Sequence, residues 1–358
     1  MPTVSSSRCL VIGGGGNLGS HIVRLLIERG ALSVDSFDVR PYEGADASKV
    51  LSIVGDITDY ESVLHAMKKG EYEVVFHTAS IIDIRPSPSL RMQRVNVDGT
   101  YNIVAACKAA NVSSLVYTSS LEVVAGVMED GVARKLNDVD ENLQMPARHQ
   151  LPYGATKAMA ERIVLAAHSP SLRTCAMRIG YIGGAGAIGL RMEMIRAHQR
   201  ADRYVTARVP ATLSTVHPRN AAHAHLLAVE KIHDDDVGGQ PFFIKDFEAN
   251  VVEMALDAFQ NTRIKPTLLP LPLAYSIAYL LHLLDLLLHA WAGLWGRTHD
   301  TSAEVLDIRA VNMAYIDIIV SAERARSVLG YQPLVTRADT FKEARVWAEA
   351  FYKGLDLA

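Results

Sequence analysis

No basic block appears anywhere in this chain. Its 36 Lys and Arg stand against 39 Asp and Glu, a formal net charge of −3 over 358 residues. A nucleic-acid partner calls for a clustered positive face, so that class of function is set aside. Cysteine is scarce: Cys9, Cys107 and Cys175 lie far apart, each in an apolar run. An odd, sparse set builds no disulfide framework and suits a reducing compartment, where each is expected as a small buried hydrophobe. Internal repeats and low-complexity linkers are missing, and no metal site is expected. The short polar start, Met1 to Ser7, runs straight into Arg8-Cys9-Leu10-Val11-Ile12. That reads as a first strand, not as a signal peptide. The chain is long enough for one large domain or two smaller ones.

Charge is also locally scarce. Between Lys265 and Arg297 the sole formal charge is Asp285, set in Leu280-Leu281-His282-Leu283-Leu284-Asp285-Leu286-Leu287-Leu288. A spanning helix takes about 20 apolar residues, and an acid near its centre costs roughly 2.5–3.5 kcal/mol on insertion. His282, Asp285 and His289 recur at helical spacing, a narrow polar stripe on a broad apolar face. Segment 268–295 is therefore expected to lie in a membrane interface or over a greasy substrate. An ordinary buried helix and a true span are the other two readings.

The first half alternates apolar β-rich runs with helical patterns. Cys9–Ile12 precedes a helix at Asn17–Arg29, and Ser33–Val39 precedes a strand at Val50–Val54. Glu73–His77 precedes a helix near Met92–Ala110, Leu115–Thr118 precedes a helix from Tyr153, and Thr174–Ile179 follows. Such alternation implies a parallel sheet covered on both faces. After about Gly180 the pattern becomes irregular, with a loop at Gly183–Gly189 and short strands near Tyr204–Ala207 and Phe242–Lys245. A short helix at Ala322–Leu329 ends at Gly330. The expected fold is α/β: a Rossmann doubly wound parallel sheet over residues 1–180, with a smaller α+β substrate-binding part over 181–358.

Gly13-x-x-Gly16-x-x-Gly19 follows the first strand and opens a helix, so backbone N–H groups of Gly13, Gly16, Asn17, Leu18 and Gly19 can approach a pyrophosphate. Asp38 ends the second strand, 19 residues after Gly19. A carboxylate there accepts both ribose hydroxyls and repels a 2′-phosphate, which favours NAD over NADP, although Arg40 softens this. Asp56 and Ile57, after the third strand, are placed to contact adenine. Thr78, Ala79 and Ser80 follow the fourth, where small residues let a cofactor cross the strand ends. Tyr117-Thr118-Ser119-Ser120 ends the fifth strand, at the carboxyl edge where open α/β sheets bind ligands. Tyr153 and Lys157, four apart, share a helix face and form a proton-transfer pair.

Taken together these motifs resemble an extended short-chain dehydrogenase/reductase, in the branch of 3β-hydroxysteroid dehydrogenases and decarboxylating sterol-4α-carboxylate 3-dehydrogenases. The resemblance is carried by the glycine turn, Phe76-His77-Thr78-Ala79-Ser80, Val95-Asn96-Val97-Asp98-Gly99-Thr100 and Tyr117-Thr118-Ser119-Ser120-Leu121-Glu122-Val123. It continues through Tyr153-Gly154-Ala155-Thr156-Lys157-Ala158-x-Ala160-Glu161, Val216-His217-Pro218-Arg219-Asn220 and Ala325-Arg326-x-x-Leu329-Gly330-Tyr331. Three positions depart from it: Ile12 stands for the usual threonine, Asn17 for the usual aromatic, and no proline follows Arg178.

The resemblance implies that Tyr153 is the general acid/base, that Lys157 and the nicotinamide lower its pKa from about 10, and that Ser120 holds the substrate oxygen, with Ser119 the second choice. Asn96 and Ile179 are expected among the cofactor-site residues, Asn96 through a buried hydrogen bond or as a helix cap. The implied substrate is a sterol or polycyclic terpenoid with a 3β-hydroxyl, and loss of a C4 carboxylate as CO2 would follow oxidation. Arg178, Arg191 or Arg196 would hold that carboxylate. A homodimer is expected, cytoplasmic and resting on the cytosolic face of the endoplasmic reticulum membrane. Competing readings are a ketoreductase or nucleotide-sugar epimerase on the same fold, and a non-catalytic NAD-binding protein.

Overall fold

The computed structural model describes residues 4–83, 89–127, 134–294 and 316–355. Its centre is a seven-stranded sheet in which every pairing is parallel. In chain order the first strands and helices are β1 (Arg8–Ile12), α1 (Asn17–Glu28), β2 (Ser33–Asp38), β3 (Leu51–Val54), α2 (Tyr60–Gly70) and β4 (Val74–His77). A composite helix follows, with α3 (Leu90–Gln93) and α4 (Gly99–Ala109) joined by a π turn at Arg94–Asp98. Then come β5 (Ser114–Ser120), β6 (Leu136–Val139), α5 (Pro152–Ala166) and β7 (Arg173–Ile179). The four central strands run as nearly unbroken apolar series, Cys9–Ile12 and Val74–His77 being fully buried, because helices cover both faces. Local chemistry fixes the helix starts. Asp59 caps α2 by accepting the Glu61 and Ser62 N–H groups, and Pro152 takes the first position of α5, where its missing N–H costs nothing.

The chain beyond residue 180 is β8 (Tyr181–Ile182), α6 (Ile188–Gln199), β9 (Arg203–Ala207), β10 (Leu213–Val216), α7 (Pro218–Lys231), β11 (Pro241–Ile244), β12 (Phe247–Ala249), α8 (Val251–Ala258), β13 (Lys265–Leu269), α9 (Leu271–Leu294), β14 (Ile318–Val320) and α10 (Arg337–Leu355). The large sheet has the order β11-β7-β5-β4-β1-β2-β3. The strand near 242–245, expected in the substrate-binding half, is thus an edge strand of the Rossmann sheet, with Phe242 opposite Met177. Conversely β6, from before residue 180, joins β12, β10 and β14 in a second sheet. The chain crosses the expected division in both directions. Hydrophobic registry explains it: Phe242 and Ile244 are fully buried in the core layer shared with α1 and α7, so β11 loses that burial anywhere else. A second core layer lies under α2, α4 and α5, and a third joins α6, α8 and α10.

Helix α9 is 24 residues long. It buries Ala274 and Ala278 and exposes Leu273, Tyr279, Leu280, Leu283, Leu284, Leu287, Leu288 and Trp291, with Leu287 67% exposed. An ordinary buried helix does not fit that exposure, and no helix among the described residues is long and apolar enough to cross a membrane. The side chains of His282, Asp285 and His289, expected as a polar stripe, lie outside those described.

Candidate active site

Parallel strands deliver their carboxyl ends to one edge, and the expected site residues collect there. The glycine turn after β1 is packed so closely that side chains are excluded. Gly13 has φ +87°, and a Cβ on it would lie 2.5 Å from the Ala79 nitrogen, while one on Gly19 would overlap the Gly13 carbonyl. Thr78 braces the turn, its hydroxyl donating to the carbonyls of Ile12 (3.0 Å) and Gly13 (3.2 Å). Gly16 is the N-cap of α1 and supplies no side-chain capping bond, so the first N–H groups of the helix are left for an anion. At the end of β2, Asp38 accepts the Gly15 N–H at 3.1 Å and the Arg40 N–H at 3.3 Å. That holds a carboxylate over the turn with lone pairs to spare for a diol. The donor set and the side-chain-free turn fit a dinucleotide.

Not every expected contact offers a side chain. Leu18 is buried in the core under the turn and brings only its backbone. Ile57 packs beneath Gly99, and its carbonyl accepts the Asn102 amide at 3.0 Å. Asp56 is exposed and accepts the Thr58 N–H at 2.9 Å. Asn96 sits in the π turn, an insertion that re-aims a side chain. Its Oδ1 accepts the Ile81 N–H (2.8 Å) and its Nδ2 donates to the Ile81 carbonyl (3.0 Å) and Thr156 Oγ1 (3.1 Å). The amide is spent on tying the loop after β4 to α5, so Asn96 acts through the frame of the site and not by direct contact.

The two serines meet different residues of α5. Ser119 points into the protein and donates to Glu161 Oε2 at 2.5 Å. Ser120 faces α5, where it and Ser80 hydrogen-bond the Tyr153 hydroxyl; its Oγ also accepts the Glu122 N–H at 3.2 Å. Ile179 lies beside Ser120 in register and opposite Ile244 on its other side. A proline there would lack the donor that a central strand uses. Arg178 is buried, and its Nε and Nη2 grip Glu161 at 2.7–3.2 Å. It is therefore not available to a substrate carboxylate. Arg196 pairs with Glu193 at 2.9 Å, and Arg191 is exposed and lies over the Phe351 ring.

Burial dominates the electrostatics. The Tyr153 phenol is pushed well up by desolvation first and by the Glu122 charge second, with the Ser120 and Ser80 hydrogen bonds opposing both. The lowering expected from Lys157 together with the nicotinamide has to act against this burial. The lysine ammonium instead donates to the Thr118 carbonyl at 2.6 Å and lies 4.3 Å over the Tyr117 ring. Its own pKa falls to about 7, through burial, against the attraction of Glu161. Glu122 is the group that sequence reasoning quoted but gave no role. It follows Ser120 by two residues, its Oε2 is enclosed with no hydrogen-bond partner, and burial lifts its pKa to about 7. The available signal was a single acid inside an apolar run, Leu121-Glu122-Val123-Val124. Among the described residues no cluster of three His, Cys, Asp or Glu side chains is placed to hold a metal. A cavity of about 590 Å³ is lined by Met145, Arg162 and Leu165 together with Glu161 and Arg178.

A phenol flanked by two hydroxyls, a lysine one turn along, and an anion-binding helix start can move a proton beside a bound dinucleotide. Comparison with known proteins agrees. Residues 10–266 match the model of the 3-beta hydroxysteroid dehydrogenase/isomerase family. The chain is 30% identical over 367 residues to human 3 beta-hydroxysteroid dehydrogenase type 7, covering 95% of each chain. It is 36% identical over 246 residues to the decarboxylating sterol-4-alpha-carboxylate 3-dehydrogenase of Schizosaccharomyces pombe, covering 66% of this chain and 68% of that one. Among solved structures, an epimerase from Methanothermobacter thermautotrophicus superposes with a TM-score of 0.73 at 17% identity, covering 99% of this chain and 96% of that one. The UDP-glucose 4-epimerase of Thermus thermophilus, in complex with NAD, gives 0.68 at 18%, covering 95% and 98%. At those identities the likeness is one of fold.

Proposed function

Because the chain belongs to the 3-beta hydroxysteroid dehydrogenase/isomerase family, we propose that it oxidises the 3β-hydroxyl of a sterol or related polycyclic terpenoid with NAD. The observation that carries this is the Ser120–Tyr153 pair at the carboxyl edge of β5, one helical turn from Lys157. Asp38 over the glycine turn supports NAD over its 2′-phosphorylated form. The nicotinamide, when bound, supplies the hydride acceptor. Ser120 donates to the substrate oxygen and fixes it against Tyr153. Tyr153, as phenolate, takes the hydroxyl proton. To reach that state the phenol must first lose its own proton, and the charge on Glu122 opposes this. Lys157, held by the Thr118 carbonyl, stands where it can bond a ribose hydroxyl.

A substrate carboxylate at C4 makes the product a β-keto acid. The C4–carboxylate bond then breaks, its electron pair passing to the ketone as an enolate that takes up a proton, and no separate catalyst is required. The exposed leucines of α9 support a second part of the reading, that this helix rests on a membrane surface. The test is incubation with NAD and 3β-hydroxysterols with and without a 4-carboxylate, following NADH and CO2. NADH from both classes, with CO2 from the carboxylated ones alone, is expected. No NADH from any of them would sink the reading, and NADH without CO2 would remove its decarboxylating form.

A further inference from the structure

Between β8 and α6, residues 183–187 run as a strap past the start of α1, and their contacts are built from glycine. The Gly183 N–H donates to the Val216 carbonyl at 3.0 Å. Gly184, at φ +93°, lies against the His217 imidazole, where a Cβ would come within 3.0 Å of the ring. The Ala185 carbonyl accepts a hydrogen bond from Asn17 Nδ2 at 3.1 Å, across 168 residues of sequence. Gly186, at φ +69°, is pressed onto the same amide, with its Cβ position 2.7 Å from Nδ2. Asn17 is the first residue of α1, and His21, four residues on, shares its face. The His21 ring meets that of His217 edge-on, with centroids 6.0 Å apart. The first turn of α1 thus holds the strap directly through Asn17, and the second reaches it only through His217, against which Gly184 lies.

Asn17 Oδ1 is enclosed without a partner, an arrangement that costs free energy. The amide nevertheless keeps the orientation in which Nδ2 reaches Ala185. An aromatic residue, usual at this position in the resemblance drawn above, has no donor to offer there.

We propose that Asn17 is a positioning residue that pins the 183–187 strap beside the dinucleotide-binding start of α1 and so slows release of the bound cofactor. This rests on the dinucleotide reading of the glycine turn. The Asn17–Ala185 hydrogen bond must break before the strap can lift, and the strap continues into α6, so cofactor release is tied to movement of the substrate-binding part.

Release of NADH, followed by stopped-flow fluorescence with excess NAD as chase, tests this without any sterol. Asn17→Ala is expected to release NADH about five-fold faster, the worth of one partly buried hydrogen bond, with association changed less than two-fold. Asn17→Phe, which lacks the donor, is expected to behave alike. Gly186→Ala drives a Cβ into the amide and provides an independent route to the same acceleration. An unchanged release rate in folded Asn17→Ala and Gly186→Ala overturns the proposal alone. Failure of the unaltered protein to bind NADH overturns the dinucleotide reading and the proposal with it.

Discussion

The carboxyl edge of the large sheet and helix α9 break opposite rules of burial. At the sheet edge, ionisable groups are enclosed: Lys157 is 2% exposed and Glu161 and His77 fully buried. On α9, large apolar side chains face outward, Leu280 being 64% and Trp291 60% exposed. Buried ionisable groups are costly unless paired or shifted in pKa, and contiguous exposed leucine marks a surface that meets something apolar. Two of the buried groups solve the problem by pairing, Arg178 with Glu161. Three others, Tyr153, Lys157 and Glu122, solve it by shifting. The groups that shift surround the proposed reaction, and the Arg178–Glu161 pair stands behind Ser119 and holds the strand.

That contrast can be broken most severely at Tyr153. Replacement by Phe is expected to lower turnover by at least about 10³-fold, near the upper part of the range for acid–base catalysis, with NADH binding kept within a few-fold. Steady-state assays with equilibrium titration measure both, and retained turnover refutes the assignment. At the pair, Arg178→Met leaves Glu161 buried without its cation and should cost about 3–5 kcal/mol of stability, read from urea unfolding. A loss under about 1 kcal/mol would mean that Glu161 finds another partner.

Glu122 sharpens the comparison through pH. Its pKa is raised, so the folded protein binds this proton more tightly than the unfolded chain does. The associated stability is present below the ordinary carboxylate range and is lost as pH rises through about 7. Glu122→Gln should therefore flatten the fall of melting temperature between about pH 5 and 7. Because the Glu122 anion holds the Tyr153 phenol up, the same change should move the rising limb of the oxidation profile, where Tyr153 loses its proton, to lower pH. A profile that stays in place would detach Glu122 from Tyr153. The smallest effect on the fold is expected on α9. Leu280→Glu with Leu287→Glu should alter unfolding by no more than about 0.5 kcal/mol per site while abolishing co-sedimentation with anionic lipid vesicles. Undiminished sedimentation would remove the membrane reading.

Much of this was legible in the residues alone, and the failures have physical causes. Strand and helix alternation located β1 to β5 and β7 to within a few residues, because strands of a covered parallel sheet are largely apolar runs, and it missed β6, whose Leu136-Asn137-Asp138-Val139 is not one. The glycine turn and Asp38 were readable because their spacing is set by backbone geometry. Ser120 was preferred with Ser119 as the second choice, since the pattern does not show what each hydroxyl meets; Ser119 is bonded to Glu161, which supports that order. The strand near 242–245 was expected in the substrate-binding half and not at the edge of the Rossmann sheet, because pairing between distant strands is a tertiary choice. The pKa of Tyr153 was expected to fall under Lys157 and the nicotinamide together; what the residues did not show is that the protein's own groups push it up, since burial governs and the lysine is directed to Thr118. Glu122 passed unnoticed for the same reason: its identity was plain and its enclosure was not.

The central claim is that this site removes a hydride from a secondary alcohol while Tyr153 takes the proton. A single-turnover reaction with a 3β-hydroxysterol deuterated at C3 addresses it directly, with mass analysis of the reduced cofactor. Deuterium transferred to NADH in the unaltered protein, and none formed by Tyr153→Phe, is the predicted result. NADH that carries no deuterium, or transfer that survives the loss of the Tyr153 hydroxyl, would contradict the account.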